Sequence, residues 1–497
     1  MRAHRCGLPH RGPRPARLEI RQTRRLMPET PELVHSRLSR WARERGTALA
    51  IQSEAGNITF AELTQRVQAH AEALSRSRAP ATVLQDSGLP LLQRLTAFLG
   101  TIASGRCAAV SDPAWPEAVL TAVRANLPDT PCDGAALTPL SPFYTGFTSG
   151  STGLPKGFRR HHRSWTESFA LCLSTFGDAA STRILAPGRD SHSLFLFGML
   201  LGLWTGAGVV VQEQFSASAA LATLATGQTP CLVAVPSQLL LMLEWAAHRQ
   251  LPPVRGVRLI LISGARWTRS RTPDLQALFP EARIIEFYGA SETSFIAWTE
   301  SHPDLPDQVV GRPFDSVELD VRGATPDSPD GLIYVRSPMV FMDYVGAAHD
   351  HTAALREGDW VCVRDLGHLD AQGRLWVAGR ESRMLVTMAK KLFPEELEAV
   401  LEAHPAIARA SVHGLPDAQR GVQIVAIIQW ATGSERTDLH ALQSWCRSRL
   451  EAFKVPRQVW GHADWAFTAS GKTDHPALSR NLPSHLHEAA PCLTPLR

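Results

Sequence analysis

Apolar residues recur at helical spacing near the start of the chain, where Val34, Leu38 and Trp41 share one face of 31–44. Thr59 followed by Glu62 has the spacing of a capping box, and Leu63, Val67, Ala71 and Leu74 continue on one helical face. Further along, RLILISGA (258–265) and RIIEFYGA (283–290) are short apolar runs ending at glycine, the pattern of buried strands. A helical pattern at 237–247 precedes them. This alternation predicts an α/β core with parallel-rich sheets. From about 308 to 379 the texture shifts to short strands, LIYVRS and RLWVAGR, between Gly/Asp turns, which predicts a small β-rich subdomain. After Arg380, Pro394 stands at a first helical position with Glu395 and Glu396 behind it, and Leu397, Val400 and Leu401 form the buried face. GVQIVAIIQW (421–430) follows as a strand and 437–450 as a helix. The expected organisation is a large domain over 27–380, a smaller α+β domain over 381–480, and a patternless tail over 481–497.

Composition narrows the class. The chain of 497 residues is 44% hydrophobic and 20% charged, which excludes a disordered, collagen-like or coiled-coil protein. The net charge of +4 is unevenly spread: residues 1–26 hold eight Arg and one acid and carry +7, leaving −3 for the rest. The body therefore lacks a basic footprint for nucleic acid. The basic start mixes Arg with Pro and Gly and has no apolar signal region. It reads as a disordered extension or as an upstream start ahead of Met27.

The 8 cysteines show no CxxC or other metal-ligand spacing, and suit reduced thiols in a cytoplasmic enzyme. Residues 191–212 carry no Asp, Glu, Lys or Arg. That length could cross a bilayer, but Gly202, Gly206 and Gly208 divide it, which predicts a buried helix followed by a buried strand and no integral membrane segment.

The sharpest chemical signal is FTSGSTGLPKG at 147–157. Glycines allow close backbone approach, hydroxyls add donors and Lys156 adds a point charge, the ingredients of a phosphate cradle. A Walker A loop is excluded: GKT occurs at 471–473, but Ala466 stands where the first glycine is required.

With YGASE (288–292), VRDLGHLDAQGRLWVAGR (363–380), FKVPR (453–457) and TASGKTD (468–474), this loop resembles the acyl-adenylate-forming superfamily over roughly residues 30–480. The wording FYTGFTSGSTG, HRSW and HSLFLFG looks most like stand-alone bacterial acyl-CoA synthetases. The resemblance implies that Thr148, Ser149, Gly150, Ser151, Thr152, Gly153 and Lys156 bind the phosphates of ATP. It places Tyr288, Gly289 and Ser291 at the nucleotide, Asp365 on the ribose hydroxyls, Arg380 beside them, and Glu292 on Mg²⁺. Lys472 is implied as the catalytic lysine, with Glu292 acting through the metal. His192, Phe195, Gly264 and Ala290 are implied around the acyl pocket.

The implied reaction attaches AMP to a carboxylic acid, releases pyrophosphate, and passes the acyl group to the thiol of CoA or of a carrier-protein phosphopantetheine. A hinge near 380–383 is implied between the two half-reactions. Departures gather in this second half. Arg383 stands where Asp or Lys is common, and Met388–Ala389 replaces a Gly-Gly pair on the thiol path; apart from these, Arg364 replaces a small residue beside Asp365, a departure at the nucleotide. A carrier-protein or amine acceptor, or a nucleotide-binding homologue without turnover, are therefore the alternative readings. No residue is suitably placed to hold a substrate amino group, since Asp190 precedes His192, so a fatty or aryl acid is expected.

Overall fold

The computed structural model describes residues 32–132, 134, 136–149, 155–326, 329–345, 354–387, 390–417, 421–468, 472–480, 482 and 492–496. Segment 1–26, the loop residues Gly150, Ser151, Thr152 and Gly153, and Met388 and Ala389 lie outside them.

Short Val/Ile/Leu-rich runs buried on both faces suit parallel pairing. Leu49–Ser53, Val209–Val211, Ile184–Ala186, Cys231–Ala234, Leu259–Ile262 and Arg283–Ala290 lie side by side in that order, each parallel to the next. The helix Pro236–Arg249 leads from one of these strands towards the next, as the pattern predicts. The β-rich segment is not a detached sheet. Arg283–Ala290 pairs antiparallel with Ser294–Glu300, that strand with Val309–Pro313, and the order runs on through Leu375–Arg380 and Asp365–Leu369. One ladder therefore connects the parallel core to the strands bearing Asp365 and Arg380. A second sheet holds Thr82–Leu84, Cys107–Ala109 and Pro142–Ser149 in parallel, then Pro155–His161 and Tyr344–Val345 antiparallel.

The uncharged run resolves into the helix Ser193–Thr205, buried from Phe195 to Trp204, and the strand Val209–Val211. Gly206 closes the helix at φ +76°, where a Cβ would stand 2.6 Å from the Trp41 ring, so the turn needs both the left-handed backbone and the missing side chain. Among the described residues, no helix is long and apolar enough to cross a membrane. Near the start, the helix is shorter than its periodicity suggests. It spans Leu38–Arg45, and ahead of it the Val34 N–H donates to His162 Nδ1 at 3.2 Å. The Thr59–Glu62 capping box forms in both directions.

The C-terminal part is built on Ile407–Asp417 paired antiparallel with Gly421–Trp430. Gln458–His462 lies parallel to the latter, and the helices Pro394–Glu402 and Leu439–Arg447 accompany this sheet. Its edge is the strand Leu493–Pro495, so part of the segment expected to be a patternless tail completes this sheet.

Candidate active site

The glycine-rich loop links two strands whose pairing brings Thr148 opposite Lys156. Lys156 is only 3% exposed, and its Nζ lies 4.7 Å from the centre of the Tyr344 ring. Thr148 Oγ1 is buried and has no hydrogen-bond partner among the described residues, an open valence beside the loop. The Tyr344 hydroxyl donates to Glu292 Oε1 at 2.8 Å. Lys156 and Glu292, distant in sequence, thus meet through one tyrosine.

Glu292 sits in the turn between Arg283–Ala290 and Ser294–Glu300. The turn is tightly determined. The Ala290 N–H donates to Thr293 Oγ1 at 3.2 Å, and the Thr293 N–H donates to the Ala290 carbonyl at 3.1 Å. Gly289 lies at the irregular step of the ladder, where a Cβ would meet the Ser294 carbonyl oxygen at 1.9 Å. The Ser291 carbonyl accepts from Arg160 at 2.6 Å.

Tyr288 projects from the same strand and donates its hydroxyl to Asp365 Oδ2. Asp365 is 6% exposed and faces Arg380 across the ladder, with Arg380 Nε 3.4 Å from Oδ1. Oδ1 accepts no hydrogen bond among the described residues. Burial raises the Asp365 pKa, while Arg380 and the Tyr288 hydroxyl act against that rise. Burial and the Asp365 charge together hold the Tyr288 phenol well above its ordinary range. Arg364 adopts φ +64°, and its guanidinium bonds Glu381 Oε2 at 2.9 Å. The non-glycine side chain therefore ties this turn to the residue after Arg380.

Lys472 comes from the C-terminal part, yet its Cε lies 3.9 Å from where a Cβ on Gly264 would stand. Val235 and Leu194 share that position, at 3.2 and 4.0 Å. The lysine remains exposed as a residue, but its ammonium is desolvated enough that burial leads the causes lowering its pKa. Arg380 adds to that lowering, and Asp365 and Glu292 oppose it. Lys472, Asp365, Arg380 and Glu292 thus share one electrostatic neighbourhood.

His192 precedes the helix Ser193–Thr205, with Nε2 3.9 Å from Asp112 Oδ2. Asp112 also accepts from Arg189 at 2.9 Å and Ser191 at 2.8 Å. Phe195, expected at the acyl pocket, is buried at 3% exposure. It is packed in the core beneath Gly188, where a Cβ would come 2.2 Å from its ring, and Leu194 takes the position beside Gly264. Asp190 is committed elsewhere, to a buried ion pair with Arg94 at 2.9 Å. An open hollow of about 370 Å³ borders Arg94 and Glu213, but holds none of the residues expected to act.

Tyr344, Asp112 and Arg160 carry no motif of their own, and pattern reading missed them. Tyrosine scarcity was the one available signal, since two of only 4 in the chain bond the two site carboxylates.

A family model described as AMP-binding enzyme matches residues 77–345, and one described as AMP-binding enzyme C-terminal domain matches 396–472. An uncharacterized acyl–CoA ligase of Bacillus subtilis, YhfT, is 35% identical over 372 residues, covering 73% of this chain and 74% of its own. A Staphylococcus epidermidis protein, VraA, named as a candidate long chain fatty acid–CoA ligase, is 30% identical over 67% of this chain and 70% of its own. Among solved structures, the O-succinylbenzoate coenzyme A synthetase of Bacillus subtilis, in complex with ATP and magnesium ion, superposes with a TM-score of 0.75 at 21% identity. It covers 90% of this chain and all of that one (100%).

Proposed function

The chain belongs to the AMP-binding enzyme family, and we propose that it is an ATP-dependent acid–thiol ligase that activates a fatty or aryl carboxylic acid and passes it to CoA. The acid's carboxylate oxygen attacks the α-phosphorus of ATP, the bond to pyrophosphate breaks, and acyl-AMP remains. The thiolate of CoA then attacks the acyl carbon, and AMP leaves. The convergence of Lys472 with Asp365, Arg380 and Glu292, beside Gly264, is the observation that carries this reading.

The residues fit the nucleotide chemically. The open acceptor valence of Asp365 Oδ1 suits a ribose hydroxyl, and the unpartnered Thr148 Oγ1 suits a phosphate oxygen. Glu292 offers the hard oxygen that Mg²⁺ prefers. When bound, Mg²⁺ supplies charge neutralisation at the phosphates. Lys156 contributes a point charge on the loop side, and Lys472 contributes a second cation where carboxylate and phosphate, two anions, must approach. The wall beside Lys472 is Leu194, Val235 and the bare backbone of Gly264, which favours an apolar acyl group. The commitment of Asp190 to Arg94 favours an acid without an amino group. CoA is preferred over a carrier protein as acceptor because the relatives above are named as CoA ligases.

ATP–pyrophosphate exchange across fatty, aryl and amino acids, with Mg²⁺, tests the first half-reaction. The expected result is exchange driven by one fatty or aryl class. Exchange driven only by amino acids, or none with any acid despite ATP binding, would overturn it. Acid-dependent consumption of free CoA tests the second half.

A further inference from the structure

Arg160 is a guanidinium with 2% exposure on the strand Pro155–His161, and its donors tie one turn to a neighbouring segment and a helix. Nη1 donates to the Ser291 carbonyl at 2.6 Å, and Nη2 donates to Ser294 Oγ at 2.6 Å and to the Met339 carbonyl at 2.5 Å. Nε donates to Ser164 Oγ at 3.2 Å on the following helix. Among the described residues no carboxylate is hydrogen-bonded to this buried charge, and its acceptors are two carbonyls and two hydroxyls. Burial lowers its pKa to about 9, with Tyr144 and Glu292 opposing. Such a burial is costly unless nearly every donor is used, as here.

What the donors hold is specific. Ser291 O belongs to the peptide immediately before Glu292. The carbonyl of Glu292 itself accepts from the Phe341 N–H at 2.6 Å, and the 339–341 segment is fixed at its start by Arg160. Ser294, at φ +58°, is the strained end of the same turn, and its hydroxyl is the third point held. Arg160 lies four residues from Lys156, so both project from the same face of one strand. A single strand thus presents one cation to the Tyr344 ring and a second that clamps the turn carrying the acid.

We propose that Arg160 is a positioning residue for the divalent-metal site, its fork fixing the peptides around Glu292 so that the carboxylate is presented to Mg²⁺. This rests on the reading of Glu292 as the metal-holding acid. Lysine would keep the charge but lose the planar fork that reaches Ser291, Ser294 and Met339 together.

The test is calorimetric titration of the full chain with ATP, in Mg²⁺ and in EDTA, for wild type, Arg160→Lys and Ser294→Ala, with unliganded thermal midpoints as the check on folding. Ser294→Ala removes one acceptor of the clamp and keeps the arginine, so it serves if Arg160→Lys does not fold. Partners that orient metal ligands contribute roughly tenfold to a hundredfold in metal affinity. The expected result is that binding in EDTA stays within about twofold of wild type, while the tightening produced by Mg²⁺ shrinks roughly tenfold in Arg160→Lys and by a smaller factor in Ser294→Ala. Folded variants with wild-type Mg²⁺ tightening would overturn the proposal alone. Absence of any Mg²⁺ effect in wild type would instead overturn the reading of Glu292, and this proposal with it. Equal weakening with and without Mg²⁺ would also overturn it, since that is the signature of general damage.

Discussion

The Tyr288 hydroxyl donates to Asp365 Oδ2, joining residues 77 apart in sequence. The two strands are connected through three intervening antiparallel strands of one ladder, so the bond closes a ring of structure around the expected nucleotide site. Hydrogen bonds to charged groups contribute about 1.5–3 kcal/mol. Tyr288→Phe is therefore expected to raise the KM for ATP by roughly tenfold to a hundredfold, with the KM for the acid little changed. Steady-state exchange kinetics check this. A larger effect on the acid than on ATP would contradict the assignment.

Removing the ammonium at Lys472 takes away a charge aimed at developing negative charge, an effect of roughly 10²–10³ in kcat elsewhere. Lys472→Ala should lose exchange by about that factor while circular dichroism and the thermal midpoint stay as in wild type. In the unaltered enzyme, burial and Arg380 lower the Lys472 pKa. If the ammonium is required, the alkaline fall of the exchange rate begins below the ordinary lysine range. Exchange that survives Lys472→Ala at the wild-type rate would remove this lysine from the mechanism.

Gly264 adopts φ +90°, and a Cβ there would approach Val235 at 3.2 Å and the Lys472 chain at 3.9 Å. Gly264→Ala combines backbone strain of about 1–2 kcal/mol with a narrowed wall beside the lysine. The expected outcome is a lower thermal midpoint and a KM that rises more for bulky acids than for small ones. A uniform loss across acid sizes would show that Gly264 serves the backbone only.

Burial holds His162 near pKa 3 and His35 and His161 near 4, below the ordinary 6.5. The unfolded chain binds these protons more readily than the folded one, so the contribution to stability is full above about 6.5 and falls as pH drops through 6.5 towards 4. His162→Asn keeps an acceptor for the Val34 N–H and removes one titrating group. The unfolding free energy from urea titrations between pH 7 and 4.5 should fall less steeply, by about 1.4 kcal/mol per pH unit at most. An unchanged slope would show that His162 does not titrate with unfolding.

Much of this was legible in the chain. The strands at 259–262 and 283–290, the Thr59 cap, Pro394 at its helix start and the uncharged run at 191–212 declare themselves through periodicity, caps and glycine, all local signals. The placement of Lys472 near Asp365 and Arg380 follows the ordered motifs. What stayed hidden depends on contacts made across the fold. Tyr344 acquires its meaning only when its strand pairs with Pro155–His161, and the burial of Phe195 only when Gly188 covers it. The strand Leu493–Pro495 has no pattern of its own and is specified by the edge it joins.

Arg383, expected at the hinge, bonds forward. Its guanidinium meets Glu395 at 3.0 Å and Glu398 at 2.6 Å, both on the helix Pro394–Glu402. Glu398 in turn accepts from the Val412 N–H at 2.7 Å. Arg383 is thereby tied to a helix of the C-terminal part rather than to the strand that precedes it. The freedom expected of a hinge at this point is confined to the few torsions between Arg380 and Arg383. The bare backbone of Gly379, where a Cβ would stand 2.5 Å from Glu395 Oε2, is the notch into which that carboxylate fits.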